Sequence, residues 1–398
     1  MANTIKTLSD GDITREALRI LKNENSTISA VNRQYDDRFA VTGAKNGGTL
    51  QIRLPNRYTV GSSRTVTPAD TTEQTVALTV GTQKNVAVQF YSSELTLSLD
   101  DFSSRILKPA MSVLASDIAA SVGTACASAF TNYVGSPGTT PSTFLTFGQA
   151  GERLDWQTAP RDGNRAMILN PTAMTASADG LKGLFAPSGA IGSQYTTGMV
   201  DRVTGFNFMM DQALPTITHG AGASYLTNGA PPLVSGTATL AVDTGTGALS
   251  AGQQFTIAGI YEVNPDTKAS TGILKVFTVG TAYAGGNGNI TLSQTIYTSG
   301  AYQNVSAALP DNTALTLIGS ASTAYVRNLA FHRDAVVLAT ADLELPRGVD
   351  MASRATMDGL SLRFVRGYDT TTDNFIGRFD ILYGIKVVRP EWGCVVYG

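Results

Sequence analysis

Histidine, cysteine and tryptophan are nearly missing from this 398-residue chain, which holds two of each. So thin a supply narrows the chemistry available. His219 and His332 lie far apart with no ligand spacing, and Cys126 and Cys394 form neither a disulfide framework nor a zinc pattern. Both cysteines sit in apolar runs and read as buried free thiols. Charge is scarce as well, 15% of residues with a net of −2, which leaves no global basic field for nucleic acid. The carboxylate pairs Asp36-Asp37 and Asp100-Asp101 are sequence neighbours, so their side chains diverge and form no acid/base dyad. No G-x-S-x-G elbow and no calcium loop occur. The run Gly285-Gly286-Asn287-Gly288-Asn289 has no lysine and no helix after it, so it reads as a loop and not a phosphate cradle. The opening MANTIKTLSDGD has no apolar signal-peptide core, so synthesis inside a cell is expected. These absences make catalysis the weaker reading, and no catalytic residue, cofactor or metal is expected.

What is present is organised around one stretch, Leu99 to Tyr133. Phe102, Ile106, Met111, Val113, Leu114, Ile118, Val122, Ala125, Cys126 and Ala129 recur at three- and four-residue steps, which predicts a long helix with one apolar stripe. Asp100 and Asp101 stand where a helix start wants carboxylates. Unbroken, it would be a rod of roughly 50 Å. Pro109 lies inside the pattern, where a proline removes a backbone donor, so a bend or a break is expected there. From Ala115 to Ala129 small residues dominate, which lets other backbone approach closely. Lys108 and Asp117 argue against a membrane span.

Around this stretch the chain changes character several times. Asp12 to Glu24 reads as a short amphipathic helix with Ile13, Ala17 and Leu21 on its apolar side, needing either its own core or another subunit as partner. Arg38 to Ala69 contains Arg38, Lys45, Arg53, Arg57 and Arg64 and no acidic residue. Alternating Leu50, Ile52 and Leu54 predict a strand there, and Lys45-Asn46-Gly47-Gly48 a hairpin turn. The segment is either a solvated hairpin or a protruding arm that a neighbouring molecule covers. Two strands are expected in residues 73–97, a helix over Thr146 to Trp156, a buried strand at Arg165 to Leu169 and a helix beginning at Asn170-Pro171. From Ser224 to Ser320 the charges are Asp243, Glu262, Asp266, Lys268, Lys275 and Asp311, and short alternating runs between turns predict a small all-β barrel or sandwich. Thereafter the residues 331–343 look helical, and two long strand patterns, LSLRFVRGYD and FIGRFDILYGIKVVRPEWGCVVYG, follow and are expected to close a sheet begun much earlier.

This order of segments resembles the major capsid protein fold of tailed double-stranded-DNA phages, the Hong Kong-type fold. More narrowly it resembles coat proteins of short-tailed temperate phages with an inserted telokin-like β-domain. The residues that carry the resemblance are GMVDRVTGFNFMMDQALP (198–215), AGQQFTIAGIYEVNPDTKASTGILKVFTV (251–279), NLAFHRDAVVLAT (328–340) and DNFIGRFDILYGIKVVRPEWGCVV (373–396). The second, with its turn on Asn264-Pro265, is the most specific. The resemblance implies an α+β chain with an N-terminal arm over 1–35 and an extended loop over 36–72. It implies a peripheral domain with the spine helix over 73–141, an axial domain over 142–223, both completed by 325–398, and the β insertion at 224–320. It further implies an icosahedral shell of pentamers and hexamers around double-stranded DNA, assembled in the host cytoplasm with a scaffolding protein and a portal, without a membrane or sequence-specific DNA binding. Arg38, Lys45, Arg53, Arg57 and Arg64 become candidate contacts to the adjacent subunit, and Pro109 a candidate bend in the spine. Lys45 is a poor candidate for the covalent crosslink some relatives form. A bacterial encapsulin-like shell protein is the alternative, and a tail or adhesin protein a weaker one.

Overall fold

The computed structural model describes residues 10–24, 26–35, 49–60, 64, 73–91, 103–181, 200, 202–369 and 374–397. Two compact units share the chain. One comprises Met1–Ile52, Val76–Val122 and Val337–Lys386, the other Arg53–Thr75, Gly123–Val336 and Val387–Gly398.

In the first unit, helix α1 (Asp10–Glu24) turns Ala17, Leu18 and Leu21 fully inward and leaves Arg15 and Arg19 in water. Its partner is its own unit: α1 lies on the strands Met351–Met357 and Leu360–Asp369, with Lys22 paired to Asp358. A second short helix, α2 (Ser26–Ala30), leads into the strand Asn32–Tyr35. That strand edges a sheet ordered Asn32–Tyr35, Val336–Ala341, Asn374–Val387, Leu360–Asp369 and Met351–Met357, with Thr82–Tyr91 also on Asn374–Val387. The late strands therefore do close a sheet begun early, Phe379 opposite both Val86 and Phe364. Within it, Asp380 is fully buried and held by Arg363 at 2.7 Å and Arg378 at 2.6 Å. Gly384 is required: a Cβ there would stand 2.3 Å from the Thr79 carbonyl oxygen.

A π-helical turn, Ser103–Leu107, runs into helix α3 (Lys108–Ala129). Met111, Leu114, Ile118, Val122 and Cys126 form its buried stripe, continued backwards by Leu107 of the preceding turn, whereas Val113, which the spacing puts on the same stripe, is 65% exposed. By length and composition Arg105–Ala129 could cross a membrane, but its most apolar stretch is already more than half buried in the fold. Pro109 is the second residue of α3 and not a residue of its middle. It still stands inside a helical run that begins at Ser103, and its missing N–H falls where the hydrogen bonding changes from the π turn to the α-helix. The preceding turn, with its i→i+5 hydrogen bonds, is a recognised site of helix distortion. Residues 99–102 of the expected helix lie outside the described residues.

The second unit holds the sheet Asn132–Val134, Gly393–Val396, Asn328–His332, Arg165–Leu169, Phe206–Met210 and Arg202–Val203. Arg165–Leu169 is buried along its whole length, as its apolar run predicts. Helix α4 (Phe144–Trp156) starts where Thr143 accepts the Thr146 N–H at 3.2 Å, and Phe147 meets Phe208 edge-on at 5.2 Å. Helix α5 (Pro171–Leu181) starts where Asn170 Oδ1 accepts the Ala173 N–H at 2.9 Å. The small residues of α3 admit close neighbours here: a Cβ on Gly123 would stand 2.8 Å from the Pro215 ring.

In the β-rich run, one three-stranded sheet takes Leu226–Thr227, Thr237–Asp243 and Gly288–Ile296. Another takes Ser270–Thr278, Gln254–Val263 and Leu315–Leu317. They share one core that includes Leu240, Phe255, Ile257, Phe277, Ile290 and Val305. The chain runs into this part and out of it along a two-stranded ribbon, Thr216–Thr218 beside Ala324–Val326.

The helical reading of residues 331–343 is wrong. The stretch is the end of one strand, a 3-10 turn (Arg333–Ala335) and the strand Val336–Ala341. Every residue of Val336–Ala341 is buried, so its continuous apolar run is that of a central strand and carries no helical period.

Candidate intersubunit surface

The basic arm begins on the strand Thr49–Arg53, whose partner is Thr75–Thr79. Thr49 lies beside Thr79, and the Leu54 N–H donates to the Gln74 carbonyl at 2.9 Å, so the limbs are antiparallel. The expected hairpin turn at 45–48 falls outside the described residues, as do Arg38 and Lys45. The pairing found makes residues 54–74 the connection between the two limbs. Leu54–Val60 has no regular structure, with Tyr58 63% and Val60 99% exposed.

The three described arginines have different surroundings. Arg53 faces Glu73 at 3.8 Å, both in solvent, where such a pair contributes about 0–1 kcal/mol. Arg64 is exposed. Arg57 instead turns onto the body: its Nη2 donates to Glu391 Oε1 at 3.3 Å, with the two side chains 27% and 12% exposed. Arg57 is therefore engaged within its own chain, which the sequence reading of five equivalent contact residues does not anticipate. Glu391 is the residue that reading passes over. Its one signal is that it is the only acidic residue after Asp380, beside the turn-forming Pro390.

Around Glu391 the site is built from the C-terminal 3-10 turn Pro390–Trp392. The Asn132 amide donates to the Glu391 carbonyl at 2.9 Å, and the Trp392 indole donates to the Gln157 carbonyl at 3.0 Å. Arg389 stacks over Trp392 at 3.9 Å, and burial pushes its guanidinium down while Glu391 opposes that shift.

Two further clusters tie the β-rich run to the rest of its unit. Glu262 and Lys275 are buried 3.9 Å apart, and burial pushes the Glu262 carboxyl up against the pull of Lys275 and Arg153. Next to them the Asn264 amide donates to the Trp156 carbonyl at 3.1 Å while Asn264 Oδ1 accepts two N–H groups of its own turn, from Asp266 and Thr267. At the base of the ribbon, Arg327 is fully buried with Nη2 2.9 Å from His219 Nε2 and donating to the Gly252 carbonyl at 3.2 Å. Burial, with Arg327 beside it, holds His219 down at about 4, so the ring is neutral and Nε2 accepts. His332 is structural too: Nδ1 accepts the Asp334 N–H and Nε2 donates to Asp162 at 3.0 Å. Among the described residues, no three His, Cys, Asp or Glu side chains are placed to hold a metal ion.

The profile of the phage P22 coat protein family, gene protein 5, matches residues 60–398. The chain belongs to the P22 coat protein family. It is a major capsid protein, a structural protein that assembles with copies of itself into the shell of a virion. Among curated proteins none matches this coat protein in sequence. Similar solved structures include the Mycobacterium phage Che8 chain, at 12% identity and a TM-score of 0.45 over 93% of this chain and 90% of that one. The capsid of an empty GTA particle is similar at 7% identity and 0.44 over 100% and 93%, and the Pyrococcus furiosus virus-like particle at 8% and 0.40 over 96% and 97%.

Proposed function

We propose that this coat protein builds an icosahedral shell of pentamers and hexamers around double-stranded DNA, with the basic arm as its principal intersubunit contact. One observation carries the arm's part in this. Tyr58 and Val60 lie exposed on residues 54–60, which have no regular structure, in the same segment as the exposed arginines Arg53 and Arg64. Apolar side chains held out in this way gain about 25 cal/mol per Å² when a second surface covers them. The arginines add steering towards acidic groups on that surface. Arg38 and Lys45, in the same basic segment, serve the same contact. Each contact is weak, and repetition over a closed shell makes the sum large through effective concentration.

In this reading residues 224–320 are an inserted β-domain that helps the subunit fold and braces contacts within or between capsomers, and 1–35 an N-terminal arm that also contacts neighbouring subunits. Near-neutral net charge suits a wall that surrounds DNA without gripping it. Scaffolding and portal proteins are the assembly partners, assembly takes place in the host cytoplasm, and the protein has no catalytic role. The double variant Arg53→Glu/Arg64→Glu tests the arm. Shells should be lost from electron micrographs while the denaturation curve of the free chain stays at its wild-type midpoint. A wild-type yield of shells would remove the arm from the assembly contacts.

A further inference from the structure

We propose that Glu391 is the seat on the chain's own body that fixes the root of the basic arm, aiming the arm before a neighbouring subunit meets it. The aiming role rests on the capsid reading above; the clasp itself does not. The outgoing limb is held at Arg57, whose guanidinium donates to Glu391 Oε1 at 3.3 Å. The returning limb is held at Gln74, whose Oε1 accepts the Tyr297 hydroxyl at 3.4 Å. These two anchors are linked on the body, because Gln294, three residues before Tyr297, donates to the second Glu391 oxygen at 3.4 Å. Glu391 is thus shared between the arm and the strand Gly288–Ile296, while Asn132 pins its own backbone.

The charges around it explain why this position needs a carboxylate. Arg57 is close enough to Arg389 and to Lys268 to push both down, after burial. Glu391 is the acid that faces Arg57 and offsets Arg389, with Asp334 assisting at Arg389 and Asp266 at Lys268. Without Glu391, Arg57 loses its partner and is left facing two other cations, so the root is released and not merely loosened. Both side chains are mostly shielded from water, which makes the pair stronger than one in full solvent.

Trypsin tests the clasp on the unassembled chain. Glu391→Gln keeps the size of the side chain and leaves Arg57 as a cleavage site. Cleavage after Arg57, followed by mass spectrometry and normalised to cleavage after the exposed Arg64, should rise roughly fivefold as the open population rises. An unchanged ratio overturns the proposal. Arg57→Glu and Glu391→Arg then separate a contact within one chain from one between chains. Shell yield should fall with either change, recover with both in one chain, and stay low when the two single variants are co-expressed. Recovery in the co-expressed mixture overturns the intrachain assignment. If the wild-type chain forms no shells at all, the capsid reading fails, and the cleavage ratio still decides the clasp.

Discussion

At the scale of single residues, buried charge separates what composition reveals from what only the fold reveals. Among the six charges of residues 224–320, Glu262 and Lys275 are enclosed together, which their positions in the sequence do not announce. Their pairing depends on the register of Gln254–Val263 against Ser270–Thr278 and on the nearby helix α4, which no local pattern encodes. Glu262→Leu should cost about 3–5 kcal/mol in denaturant unfolding because it strands the Lys275 cation, and Glu262→Leu/Lys275→Met should recover most of that loss. His219 gives a pH dependence with a definite sign. Its folded value near 4 lies below the ordinary value near 6.5, so between them the unfolded chain binds the extra proton. Tyr325 and Arg327 are the titratable groups beside its ring. Stability should therefore fall as pH drops from about 6.5 to about 4. His219→Gln, which keeps an acceptor for Arg327, should remove that slope in urea midpoints measured across the range.

Among the elements, those with strong periodic patterns are legible: α1, most of α3, α4, α5, the alternating runs of the β-rich part and the strand Leu360–Asp369. The last pattern reads as one strand through to the final residue, whereas Asn374–Val387 ends before the turn Pro390–Trp392 and Gly393–Val396 joins another sheet. Val336–Ala341 was misread because a strand buried on both faces loses its alternation. The arm was half-read. Its strand is where Leu50 and Ile52 put it, but its described partner, Thr75–Thr79, lies more than twenty residues onward, and turn residues alone do not specify such a pairing. Pro109 stands where the π turn meets α3, so Pro109→Ala, which restores a helical donor there, should leave the unfolding free energy unchanged or raise it. A role for it as a bend in the shell would appear separately, as a change in shell diameter or in expansion; with both unchanged, the proline is local geometry.

For the whole molecule, the order of its segments resembles the tailed-phage major capsid fold, and the family match over residues 60–398 agrees. What no single chain displays is the set of surfaces that neighbours cover, and Arg57 shows why: a basic residue in an arm can be held by its own body. The central claim is self-assembly. Sedimentation velocity of the purified chain, with negative-stain images of each fraction, tests it most directly. The account predicts capsomers and closed shells in rapidly sedimenting fractions. A single species at the 41.7 kDa of one chain, at every concentration, would contradict it.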